Sequence, residues 1–121
     1  MFRFFMIAVV AGLLALHPAP SLAAGLQQIT SEDEFAGLVS GRKLTALGVT
    51  LEVYPDGRIT GRAFGRNVTG QWRWQDGYFC RDLMYGEKPL APNCQAVLSA
   101  DNRIRFVSDQ GTGPAANLRI R

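Results

Sequence analysis

The sequence predicts an all-β protein: an antiparallel meander closed into a small eight-stranded barrel, with one short N-terminal helix. Three observations predict it. Beyond residue 41 the apolar residues recur with a period of two. Three short turns carry nearly the same chemistry: Tyr54-Pro55-Asp56-Gly57-Arg58, Trp74-Gln75-Asp76-Gly77-Tyr78 and Ser99-Ala100-Asp101-Asn102-Arg103. Each suits a three-residue hairpin: a type I turn, then a residue at positive φ, Gly or Asn. A small soluble domain of many short strands also gains from closure, which removes unpaired edges.

Read as three-residue loops, the turns set a register. Val53 then faces Ile59, Leu51 faces Gly61, Trp72 faces Cys80, Leu98 faces Ile104 and Ala96 faces Phe106. The strands fall at about 42–47, 49–54, 58–64, 68–74, 78–84, 93–99, 103–108 and 116–121. The register places one interior: Leu44, Leu51, Val53, Ile59, Val68, Trp72, Trp74, Cys80, Ala96, Leu98, Ile104, Phe106, Leu118 and Ile120. The helix is read over Thr30 to Val39. Ser31-x-x-Glu34 matches a capping box, Glu32, Asp33 and Glu34 suit the positive helix end, and Phe35, Leu38 and Val39 form its apolar stripe. Gly41 ends it, and the helix would plug one end of the barrel.

The first 24 residues read as a secretory signal peptide. Arg3 precedes an apolar run from Phe4 to Leu16; His17, Pro18 and Pro20 break it, and Ser21-Leu22-Ala23 supplies small residues for cleavage after Ala23 or Ala24. A membrane span needs about 20 apolar residues, which this run does not reach. The expected product is a periplasmic or secreted monomer of residues 25–121, a single domain with no membrane span. Without its leader the chain has 12 cations against 10 acids, and ten of the cations are Arg. The only histidine, His17, leaves with the leader. Histidine-based triads, dyads and metal sites are thereby excluded from the exported chain. No cofactor and no metal are expected.

Cys80 and Cys94 are the only cysteines. In an exported chain such a pair reads as a disulfide, here on adjacent strands with Cα atoms about 4.4–6.8 Å apart. The spacing matches no zinc or redox motif.

Gly111-Thr112-Gly113-Pro114-Ala115-Ala116 matches the pattern of a dinucleotide fingerprint. That fingerprint must feed a helix, and here Pro114 interrupts it and a strand is expected next. Gly70-Gln71-Trp72 is similar to the short G-x-W signature of lipocalin-type barrels, although it falls on the fourth strand rather than the first. Arginines alternate with apolar residues along several strands. Most belong to the solvated face, and some could form a patch for carboxylate or phosphate. Nucleic acid is not an expected partner, because the net charge is small and no recognition module is present.

The strand 78–84 carries large apolar groups on both faces: Tyr78 and Met84 on one, Phe79 and Leu83 on the other. Arg81, Asp82, Tyr85, Glu87 and Lys88 lie in or beside it. The candidate ligand- or partner-binding residues are therefore Arg66, Arg73, Arg81, Asp82, Tyr85 and Lys88. No catalytic residue is assigned; an acid/base site on Asp82, Glu87 and Tyr85 is the enzymatic alternative.

Further stretches carry a resemblance: Asp56-Gly57-Arg58-Ile59, Gly61-Arg62-Ala63-Phe64-Gly65, Gly70-x-Trp72-x-Trp74, Tyr78-Phe79-Cys80-Arg81, Asn93-Cys94-Gln95 and Arg105-Phe106-Val107-Ser108-Asp109-x-Gly111-x-Gly113. On these residues, roughly 29–121 resembles a family of small exported proteins of alphaproteobacteria, without established activity. Members of such families often carry the label dihydrodipicolinate reductase. That label implies a Rossmann domain with an N-terminal nucleotide fingerprint and a catalytic histidine and lysine, which this chain does not present in order. The function expected is binding of a protein partner or a small anionic ligand by a non-catalytic barrel. By analogy with small disulfide-tied barrels of the metalloprotease-inhibitor type, the partner could be a secreted hydrolase. A structural role in the cell envelope is the remaining alternative.

Overall fold

The structure, a computed structural model, describes Gly12 and residues 25–121. The signal peptide read at 1–24 otherwise lies outside the described residues. The chain runs β1 (Gln27–Ile29), α1 (Glu32–Val39), β2 (Lys43–Ala46), β3 (Val49–Val53), β4 (Arg58–Ala63), β5 (Arg66–Gln75), β6 (Tyr78–Tyr85), β7 (Lys88–Pro89), β8 (Asn93–Ala100), β9 (Arg103–Val107) and β10 (Ala115–Ile120). Between β9 and β10, Ser108–Gly111 makes one turn of helix that is left-handed at Asp109 and Gln110.

Eight strands close into an antiparallel barrel. Each of β2 to β6 and β8 to β10 pairs with the next, and β10 returns to β2 with Ile120 opposite Leu44. The two short strands extend the seam where β6 meets β8. That seam is three residue pairs long: Phe79–Gln95, Cys80–Cys94 and Arg81–Asn93. Past one end of it β1 continues along β8, with Ile29 opposite Val97. Past the other end β7 folds back on β6, with Lys88 opposite Tyr85. The piece 85–92, which shows no strand pattern in sequence, is thus largely a small hairpin turning at Gly86.

The first hairpin has the expected three-residue loop: Tyr54 N–H donates to Arg58 O at 2.9 Å, and Val53 faces Ile59. The other two are corrections. Gln75 pairs with Tyr78 and Ala100 with Arg103, so each loop has two residues. Asp76 and Gly77 both take positive φ, as does Asp101, and two-residue turns of that kind match the twist of the strands they join. Pro55 cannot adopt positive φ, which keeps the first loop longer. One residue of slip turns every side chain over. Trp72 faces Arg81 rather than Cys80, and Leu98 faces Arg105 rather than Ile104. Cys80, Ala96 and Leu98 therefore lie on the outer wall, while Phe79, Arg81, Gln95 and Val97 point inward. Ala96 stays buried because the Ser108–Gly111 turn packs over it.

Helix α1 plugs one end. The Ser31 hydroxyl accepts from Glu34 N–H at 3.3 Å, the capping bond that the sequence suggests. Phe35 and Val39 are fully buried. The Phe35 ring lies 5.1–5.2 Å, centroid to centroid, from Trp72, Trp74 and Phe79. Both indoles satisfy their N–H groups on backbone carbonyls, Trp72 on Tyr54 at 2.7 Å and Trp74 on Thr30 at 3.3 Å. Leu44, Val53, Ile59, Ile104, Phe106 and Ile120 belong to the same core cluster. Among the described residues no helix covers the opposite end.

Candidate functional site

At the uncovered end the inward face changes character. Wide side chains give way to Gly61 and Gly70, and Leu51 and Leu83 lie opposite them. A Cβ on Gly70 would run into the carbonyl of Asp82 and the Leu83 side chain, and one on Gly61 into Thr50 and Leu51. The inward face here holds a cavity of about 190 Å³, room for roughly six waters. Apolar side chains line most of it, Leu44, Leu51, Phe79, Leu83, Phe106 and Leu118 among them, and two polar ones enter it, Arg81 and Gln95. A second, apolar hollow of about 380 Å³ shares Leu51 and Leu83 and opens to the rim past Phe64, Tyr85 and Leu90.

Arg81 is half-buried. Its guanidinium donates to Ala91 O at 2.8 Å, in the loop between β7 and β8. Burial pushes its pKa down, and the nearby charge of Asp82 works against that. An arginine stays protonated under such a shift, so the cavity holds a permanent positive charge. Only two ion pairs occur among the described residues, Arg58–Asp56 and Arg73–Asp82. Neither satisfies Arg81.

Gln95 is buried and its amide donates to Ser108 Oγ at 3.2 Å. Asn93, opposite Arg81, ties down the same turn: Nδ2 donates to Asp109 Oδ1 at 2.7 Å, and Asp109 N–H donates back to Asn93 Oδ1 at 3.0 Å. Asn93-Cys94-Gln95 and Ser108-Asp109-x-Gly111-x-Gly113, separate in the sequence, thus meet beside Arg81. Nothing in the sequence links the two stretches; the pairing of β6 with β8 and the bonds from Asn93 and Gln95 bring them together. After Gly113 the chain enters strand β10 and not a helix, so Gly111–Ala116 has no helical N-terminus to offer a pyrophosphate.

The structure divides the six candidate binding residues. Arg81 is inside the barrel. Arg66 and Tyr85 share the inward side at the rim, the guanidinium 5.5 Å from the ring centroid. Lys88 is exposed on β7 opposite Tyr85. Arg73 and Asp82 lie on the outer wall, 3.8 Å apart and both well exposed. Asp82 and Tyr85 consequently face opposite sides of β6, and the acid/base grouping of Asp82, Glu87 and Tyr85 is not assembled. Among the described residues no group of three His, Cys, Asp or Glu side chains is placed to hold a metal ion.

The Cys80–Cys94 disulfide is present, with Cα atoms 3.9 Å apart, closer than the expected range. It bridges the middle pair of the seam from outside. No helix among the described residues is long and apolar enough to cross a membrane. No family model matches the chain, and no curated protein or solved structure matches it either.

Proposed function

We propose that this is a non-catalytic exported barrel that takes up a small apolar anion at its uncovered end, with Arg81 as the counter-charge. One observation carries the reading: a permanently charged guanidinium enters an apolar cavity and meets no carboxylate there. A charge drawn partly out of water without an ion pair favours an anion beside it, and a ligand carboxylate offers the bidentate match that Arg favours. The Gln95 amide gives a second polar contact next to it. The space suits a short branched or aromatic carboxylate, with the neighbouring hollow open to a longer tail.

Export is supported by the disulfide and by the apolar leader that the sequence presents. The loose likeness to lipocalin-type barrels fits a carrier of small molecules, and the resemblance to small exported proteins of alphaproteobacteria fits export. Neither supplies a reaction.

Calorimetric titration with 2-naphthoate, and with neutral 2-naphthamide as its isostere, tests the proposal. The carboxylate should bind and the amide should not. Arg81→Gln should weaken carboxylate binding by about 10- to 100-fold, the worth of a charge-assisted hydrogen bond. Equal affinity for the two probes, or an unaffected Arg81→Gln variant, would refute the role given to Arg81.

A further inference from the structure

Leu47 and Phe64 stand on two neighbouring turns of the uncovered end. Leu47 is 96% exposed and Phe64 73% exposed. The turns form one unit: Phe64 N–H donates to Gly48 O at 2.8 Å, and the Phe64 ring lies where a side chain on Gly48 would be. Phe64 also has φ 51. That left-handed conformation favours Gly or Asn and is unfavourable for an aromatic residue. An exposed aromatic in a strained backbone is not explained by packing, and such local conflicts mark functional positions.

Charge is distributed along the same axis. At the helix-plugged end acids and cations are mixed: the three hairpin loops carry Asp56, Asp76 and Asp101 and α1 opens on Glu32, Asp33 and Glu34, but Arg42, Lys43, Arg58 and Arg103 lie beside them and Arg58 is ion-paired with Asp56. Around the exposed pair the charges are positive. Arg62 is held at the Phe64 turn by bonds to Gly65 O at 2.7 Å and Asn67 Oδ1 at 2.9 Å. Arg66 follows directly, Arg119 lines the groove beside Leu47 and Gly48, and Lys88 lies on β7. The acids at this end are Glu87 and Asp109, and Asp109 is engaged by Asn93.

From this juxtaposition we infer that the Leu47 and Phe64 turns dock the open end of the barrel on a lipid surface carrying anionic headgroups. Apolar tips ringed by guanidinium groups are the arrangement that such a surface recognises: the tips enter the boundary between headgroups and acyl chains, and the cations stay with the phosphates. The helix end, where acids and cations are mixed, then faces away from the membrane. The apolar hollow that runs from Phe64 to Leu83 would open towards the bilayer.

The test is flotation with vesicles of phosphatidylglycerol and phosphatidylcholine in equal parts, against pure phosphatidylcholine. The protein is purified without residues 1–24, whose apolar run would bind lipid by itself. It should float with the anionic vesicles, weakly or not at all with the neutral ones, and less as salt rises. Phe64→Asn should reduce binding roughly tenfold, as should Leu47→Asn, in line with the transfer of one large apolar side chain. Phe64→Asn suits the left-handed turn, so its thermal midpoint should be unchanged or higher, which separates lost docking from lost folding. Arg81→Gln should float like the parent, so a failure of the cavity proposal and a failure of this one remain distinct. Absence of binding to anionic vesicles, equal binding to neutral ones, or full binding by the Phe64→Asn, Leu47→Asn double variant would each overturn the inference.

Discussion

Cys80 and Cys94 are register partners on the outer wall, and they occupy the central pair of the three that close the barrel. Their bond therefore fastens the seam at its middle pair. The loop it closes, Arg81 to Asn93, contains β7 and the carbonyl that receives Arg81.

Removing that bond should loosen closure before it loosens the rest of the barrel. The Cys80→Ala, Cys94→Ala double variant should lose about 3 kcal/mol, the chain-entropy value for a loop of this length. Urea unfolding measures the loss. Amide exchange should accelerate first at residues 79–81 and 93–95. A loss near zero with uniform exchange would place the strength of closure elsewhere.

Phe35 joins the helix to the strands. It is fully buried and its ring meets those of Trp72, Trp74, Phe79 and Phe106. Phe35→Ala should cost about 3–5 kcal/mol and shift tryptophan emission to the red, as both indoles lose a packing partner.

Two glycines should respond to alanine with opposite sign. At Gly70 the new methyl would meet the Asp82 carbonyl and Leu83, so Gly70→Ala should cost about 1–3 kcal/mol as overpacking does. Gly37 lies inside α1 with open space around it. Gly37→Ala should gain about 0.5–1 kcal/mol from helix propensity. Thermal denaturation of the two variants, side by side, checks both signs.

The Asp56 carboxyl is held below its usual range, chiefly by the side-chain hydrogen bond from Arg58, with the Arg58 backbone N–H adding to it. A depressed native pKa adds stability above the unfolded pKa and loses it as pH falls through the native one. Asp56→Asn should therefore be slightly less stable than the parent at neutral pH. The difference should close on acidification below the ordinary carboxylate range. A difference that grows in acid would contradict this sign.

Much of the barrel was legible in the sequence. The period of two and the repeated turn chemistry placed all eight barrel strands, and Ser31 and Glu34 placed the helix start. What escaped was a matter of one residue in two loops. Asp76-Gly77 and Asp101-Asn102 can serve either as the end of a three-residue loop or as the whole of a two-residue one, and local sequence does not decide between them. The choice sets whether Cys80 or Arg81 enters the barrel. Arg81 was thus legible as a candidate, but its place inside an apolar cavity was not. β1 and β7 were missed because strands of three and two residues have no period to read. Arg73 and Asp82 looked equally suitable as binding residues, and only the register shows them paired to each other on the outer wall.

The central claim is that an anion enters the barrel to meet Arg81. Nitrogen-edited NMR during titration with 2-naphthoate tests it most directly. The account predicts that the Arg81 Nε–H and the Gln95 side-chain amide shift most, with the Leu51 and Leu83 backbone amides following. The Arg73 Nε–H on the outer wall should stay in place. Shifts centred on Arg73 and Asp82, or a saturating interaction that leaves the Arg81 and Gln95 signals unmoved, would contradict it.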